Sequence, residues 1–216
     1  AEAWQRDSQR LADLAARADA LSALQAKIGH GKDIDAWLEA RDLAHARRLW
    51  QGVDIEAGWE DALEAVLRER LNALALARLD DALAWVGADK PPGRLAVYSD
   101  GQASRDDAEA AQRATDALIA KVRASDAHVD AVLAEGLHGV RCRPDLAGAL
   151  AARSSLAPGE TFVTPEGHRV SAAGIAFFAP DSELHGVIAR QRELTELAGA
   201  IDAARAAADT ARATLD

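Results

Sequence analysis

Residues 58–76, GWEDALEAVLRERLNALAL, carry the pattern on which the fold turns. Trp59, Leu63, Val66 and Leu67 fall at i, i+4, i+7 and i+8, one face of a helix. Glu60, Asp61 and Glu64 crowd its beginning, and Arg68 and Arg70 come later, the order the helix macrodipole favours. Glu64 and Arg68 also make an i,i+4 pair with the acid first. The three carboxylates therefore read as helix-start charge. Catalysis by a carboxylate pair needs a pocket and a partner base or water site, and the sequence names neither. After the helix, ALALARL (73–79) reads as a short strand.

Outward from this stretch the same alternation continues. WLEARDLAHARRLW (37–50) has helical spacing, and QGVDIEAG (51–58) breaks it as a loop or short strand. Asp80 or Asp81 is expected to cap a helix that ends near Gly87. KPPG (90–93) is a turn and RLAVYS (94–99) a strand. DGQASRDDAEAAQRA (100–114) is polar without strong anchors, which suits a linker and subdomain boundary. A helix over 126–135, a strand over 136–143 and a helix over 144–153 with Pro144 in its first turn follow. The segments 160–164, 168–172 and 174–179 are closely spaced strands. The reading is an α+β chain whose middle, 29–182, has two α/β halves, about 29–100 and 115–182.

Both ends carry heptads. Trp4, Leu11, Ala18 and Gln25 form one seam of residues 1–28, with Asp7, Leu14, Leu21 and Ile28 on the other. In 183–216, Val187, Leu194, Ile201, Ala208 and Leu215 recur every seven, with Arg190, Leu197, Ala204 and Ala211 on the second seam. Neither stripe can be buried by its own helix. Pairing the two ends antiparallel, with 29–182 as a cap, is the economical solution; two separate surface helices are the alternative.

Composition excludes several classes. The chain has 216 residues and a net charge of -10, which argues against a broad nucleic-acid surface and leaves only a local basic patch. The cap alone, 29–182, holds 17 Lys and Arg against 25 Asp and Glu, a net -8. Cys142 is the only cysteine, so no internal disulfide can form and a reducing compartment is expected. No run is long and apolar enough for a membrane span. Methionine is absent and residue 1 is Ala, so the chain is read as a segment of something longer. Neither GxxxxGK[ST] nor GxGxxG occurs, and no GxSxG elbow does. The six histidines are scattered, and His138 and Cys142 have no further ligands nearby in sequence. No catalytic residue and no metal site are expected.

The order helix, two-part α/β cap, helix suggests a hinge, and the motifs sharpen it. GWEDALEAVLRERLNALAL resembles the segment of SMC (structural maintenance of chromosomes) hinge domains in which Gly, an aromatic and Glu precede a helix and a strand. FVTPEGHRVSAAG (162–174) resembles the family's Val-Thr-x-x-Gly hairpin. LWQGVDIEAGWE, the run ALIAKVRASD to LHGVRC to DLAGALA, and the exit over 181–194 fall in the family's order. The resemblance covers essentially the whole chain and is to the bacterial, condensin type. It departs in two places. The family often has Gly where Arg68 stands. It also often has two Gly pairs after the hairpin, associated with the dimer contact, and here only Gly174 remains.

The resemblance implies an intramolecular antiparallel coiled coil capped by a two-part hinge, and a ring-shaped homodimer. It implies chromosome condensation and segregation in the cytoplasm at the nucleoid. It places ATP and Mg at head domains absent from this segment, together with kleisin and accessory subunits, and leaves the segment itself without enzyme activity or cofactor. GIAFFAP (174–180) is the candidate dimer contact: a short apolar edge strand ended by Pro180, with Gly174, Ile175, Phe177 and Phe178 as its residues. Adjacent phenylalanines on a strand point to opposite faces, so one can join the core while the other meets the partner. Local DNA contact is assigned to Lys32, Arg41, Arg47, Arg48, Arg190 and Arg192; the rival reading is a pure dimerisation module that never touches DNA.

Overall fold

The structure, a computed structural model, describes residues 2–26, 32–86, 89–99, 116–179 and 187–213. The chain divides into two compact units, Ala1–Ile28 with Val187–Asp216, and Gly29–Gly186.

The first unit is two long helices, Glu2–Ala26 and Val187–Ala213, packed on each other. Half-buried positions recur along the first helix at Asp7, Leu11, Leu14, Ala18 and Leu21. Ile188, Leu197, Ala204 and Ala208 are buried on the second. The side chains of Arg17 and Glu193 form an ion pair across the two. With Arg17 opposite Glu193, only an antiparallel course puts Ala204 and Ala208 beside the Asp7 end, where their burial requires a neighbour. Alanine at these positions lets the helices approach closely but contributes little apolar area, so the pairing depends on its length.

The second unit begins with the helix Lys32–Glu39. Helical spacing predicts a helix through 37–50, but the chain leaves it early. The Leu43 N–H reaches the Leu38 carbonyl at 2.9 Å and the Asp42 N–H reaches Glu39 at 3.1 Å. Asp42 sits at φ 60. This is a Schellman ending with aspartate in the left-handed position usually held by glycine. Leu43 then packs on the cluster of Ile34, Leu38 and Leu74. After the 3-10 turn Leu49–Gly52 come β1 (Val53–Ile55) and the helix Glu60–Leu67, whose Ala62, Leu63, Ala65 and Leu67 are buried. Glu60 folds back to accept the Gly58 N–H at 2.7 Å, as helix-start charge should. Glu64 differs from expectation. Read as helix-start charge beside Arg68, it is 6% exposed, on the buried face with Leu63 and Leu67.

The 3-10 turn Arg68–Asn72 leads into β2 (Leu74–Leu76), which pairs in parallel with β3 (Val97–Ser99). Between them lies a 3-10 helix, Leu79–Trp85, preceded by Arg78; Asp80 and Asp81 lie in its first turn instead of capping an α-helix. The linker expected over 100–114 lies outside the described residues.

In the second half β4 (Val122–Ala124) pairs antiparallel with β1, tying the two halves together. Asp126 caps the helix Ala127–Gly136 by accepting from the His128 and Val129 N–H groups. β5 (Val140–Cys142) follows, then the helix Leu146–Ala152, capped by Asp145, with Pro144 before the cap and not inside the first turn. β6 (Thr161–Val163), β7 (Arg169–Val170) and β8 (Ile175–Ala176) complete a sheet of order β5-β6-β7-β8, parallel for the first pair and antiparallel after it. Ala149, Phe162 and Val170 form the core beneath it.

Candidate dimer interface

β8 is the edge of the four-stranded sheet. The hairpin that joins β6 to β7, its neighbour in the sheet, is set by Pro165 and Gly167. The Gly167 N–H reaches the Thr164 carbonyl at 2.9 Å and the Thr164 N–H reaches His168 at 3.0 Å, the pattern of a three-residue hairpin loop. Gly167 has φ 79, and a Cβ there would lie 2.7 Å from Phe178 Cδ1 and 2.8 Å from the Asp61 carbonyl oxygen. Glycine is needed at this point for both its conformation and its lack of bulk.

β7 and β8 pair with Val170 opposite Ile175 and Arg169 opposite Ala176. Beyond Ala176 the two phenylalanines differ. Phe178 is half-buried against Gly167, and its backbone N–H donates to His168 Nδ1 at 3.2 Å. Phe177 is 69% exposed and Ile175 42%. Gly174 is exposed, and a Cβ on it would meet only Ser171 Oγ at 3.7 Å, so the single chain itself does not require glycine there.

A second exposed apolar group went unnoticed in the sequence. Leu79, Leu83 and Val86 lie along the 3-10 helix and its exit, with Leu83 73% exposed. This helix packs on β3, an edge of the two-stranded sheet. The i, i+4, i+7 spacing was visible, but the acids beside it read as a helix cap.

The basic residues singled out from sequence are mostly engaged. Arg41 stacks over the Trp37 ring at 4.0 Å and pairs with Asp89. Arg47 pairs with Asp126 at 2.7 Å. Burial pushes the Arg48 guanidinium below its ordinary pKa, and Asp35 partly offsets this. Lys32 opens its helix. Arg190 and Arg192 lie on the helix Val187–Ala213, in the other unit, where Arg190 is half-buried and Arg192 lies 3.7 Å from Glu196. The described residues contain no cluster of His, Cys, Asp and Glu fit to hold a metal. None of the described helices is long and apolar enough to cross a membrane.

Comparison with known proteins meets this geometry. Residues 44–153 match the family described as "SMC proteins Flexible Hinge Domain". A chromosome partition protein Smc from Bordetella petrii is 42% identical over 213 residues, 99% of this chain and 18% of the relative. Its counterpart from Delftia acidovorans is 41% identical over 217 residues, again 99% and 18%. The chain thus spans under a fifth of the length of these curated relatives. Among solved structures, the asymmetric dimer of the Geobacillus stearothermophilus SMC hinge domain has a TM-score of 0.65 at 19% identity, covering 98% of this chain and 89% of that one. The Pyrococcus furiosus Smc hinge domain with an extended coiled coil has a TM-score of 0.50 at 13% identity, covering 98% and 76%.

Proposed function

The chain belongs to the SMC flexible hinge domain family, and from that premise we propose that it is the homodimerisation hinge of a bacterial SMC complex acting in chromosome condensation and segregation. It is a hinge segment and not an ATPase head. In this reading ATP, Mg, a kleisin and accessory subunits belong to heads elsewhere in the full-length protein, which works in the cytoplasm at the nucleoid. Residues 1–28 and 183–216 are its coiled-coil arms, and 29–182 is the hinge domain.

One observation carries the proposal: β8 is a sheet edge whose Phe178 packs inward while Ile175 and Phe177 stay exposed. An apolar edge of this kind is what a lasting two-fold contact uses. Gly174, Ile175 and Phe177 face the partner, and Phe178 anchors the strand to its own chain. Leu79, Leu83 and Val86 supply the apolar surface that receives it, so that each copy gives one face and accepts the other. Light scattering beside circular dichroism tests this. Phe177→Glu, and separately Gly174→Leu, should give a folded monomer. Dimers of both variants with unchanged helix content would place the interface elsewhere.

DNA contact at Lys32, Arg41, Arg47, Arg48, Arg190 and Arg192 is the weaker component of the proposal. Arg41 and Arg47 are already paired with carboxylates and Arg48 is half-buried, which favours the pure dimerisation module. Titration of the chain onto single-stranded and duplex DNA near 50 mM salt decides. Salt-sensitive binding that Arg190→Glu with Arg192→Glu weakens supports the DNA contact. No binding establishes the pure module.

A further inference from the structure

We propose that His168 is a positioning residue of the dimer edge, its unprotonated Nδ1 holding the chain at Phe178 so that Phe177 is presented to a second copy of this chain. The inference rests on the dimer reading above. The β7–β8 pairing ends at Arg169 and Ala176. Past that point the imidazole, not the backbone, takes the next donor: the Phe178 N–H points at His168 Nδ1 at 3.2 Å. The same ring meets Phe177 edge-on, with centroids 5.3 Å apart and an interplanar angle of 73°. One side chain thus fixes both residues that follow the edge strand, the half-buried one by a hydrogen bond and the exposed one by ring contact.

A backbone N–H can only donate, so Nδ1 must offer its lone pair and the ring must be neutral, with its proton on Nε2. Removing that acceptor takes the anchor from both copies of a two-fold dimer.

The test is sedimentation of the whole chain across concentration, with circular dichroism beside it. His168→Asn keeps an acceptor near the Nδ1 position, and His168→Leu, of like shape, does not. The His168→Leu dimer should be about tenfold or more weaker than wild type, reflecting one modest hydrogen bond in each copy. His168→Asn should keep most of the wild-type affinity. Equal affinities of His168→Asn and His168→Leu, both folded, overturn the proposal. Phe177→Glu is run alongside. If it remains dimeric, the dimer reading and this inference fall together. If it is monomeric while His168→Leu dimerises as wild type, only the role of His168 falls.

Discussion

The backbone N–H of Arg68 closes the helix Glu60–Leu67 by donating to the Glu64 carbonyl, and Arg68 itself leaves the helix at φ 50, ψ -127. Side chains with a Cβ rarely enter that region, and holding one there costs on the order of 1–3 kcal/mol. Glycine enters it freely. Arg68→Gly is therefore expected to stabilise the fold by about 1 kcal/mol, a rise of about 2–4 °C in thermal midpoint for a chain of this size. Arg68→Ala keeps the Cβ and should gain nothing. A midpoint for Arg68→Gly at or below that of Arg68→Ala would contradict the strain.

Gly167 and Gly159 separate conformation from crowding. Both have positive φ, 79 and 88, but a Cβ on Gly159 meets nothing within 4 Å, while one on Gly167 strikes Phe178 and the Asp61 carbonyl. Gly159→Ala should cost about 1 kcal/mol, the conformational part alone. Gly167→Ala should cost clearly more, about 2–4 kcal/mol, because it adds overpacking. Chemical denaturation of the two variants measures the difference, and equal losses would mean that Phe178 does not rest on Gly167.

Much of this was legible beforehand, and the parts that were not share a cause. The heptads declare themselves because a seven-residue repeat is a local, periodic signal; Leu197, Ala204 and Ala208 are buried where it puts them. β2, β3, β5, β6 and β7 fall inside the runs read as strands. The helix through 37–50 failed because its stop signal is Asp42 in a left-handed turn, with no Gly or Pro to mark it. Glu64 was read as helix-start charge paired with Arg68, and its burial was not legible because what packs on the helix decides it. The bond from Phe178 to His168 spans ten residues of hairpin, and no spacing rule reports a side chain standing in for a strand partner.

Asp126 ties stability to pH. Its carboxylate accepts the Val129 N–H, the largest of the effects that hold its pKa well below the usual range, and then hydrogen bonds from Arg47 and Ser125. A group depressed in the folded state stabilises fully above its unfolded value of about 3.9, and that contribution is lost as pH falls toward the folded value. Asp126→Ala should cost about 1–2 kcal/mol near neutral pH, the loss of a helix cap and its partner. Its penalty relative to wild type should shrink from about pH 5 downward. Urea midpoints across acid pH follow it, and a penalty that stays constant would rule out the carboxylate as its source.

Leu83 tests the receiving face of the proposed dimer. It is 73% exposed and therefore contributes little to the fold of its own chain. Leu83→Asp should leave the unfolding free energy within about 0.5 kcal/mol of wild type, as surface changes do. Against a partner's apolar edge the same charge is desolvated without a mate, and the dimer should weaken at least tenfold by sedimentation. A variant that dimerises as tightly as wild type would show that Ile175 and Phe177 pack on something other than this helix.

Cys142 offers a reporter of opening. It lies in β5, is buried, and burial pushes its thiol up to about 12. Only the thiolate attacks disulfide reagents, and at about pH 8 roughly one thiol in ten thousand is ionised in such a site. Its backbone N–H is also held, by the Asp116 carbonyl at 2.6 Å, while Asp116 receives both Arg141 and Arg143. Reaction therefore requires β5 to leave the sheet, which exposes the sulfur and returns its acidity to the ordinary range together. Labelling with a thiol reagent should be slow in buffer and complete for one thiol per chain in denaturant. Asp116→Ala, which removes the carboxylate that Arg141 and Arg143 share, should accelerate labelling several-fold without changing the endpoint. Rapid labelling of the folded wild type would show that β5 is open to solvent in the absence of unfolding.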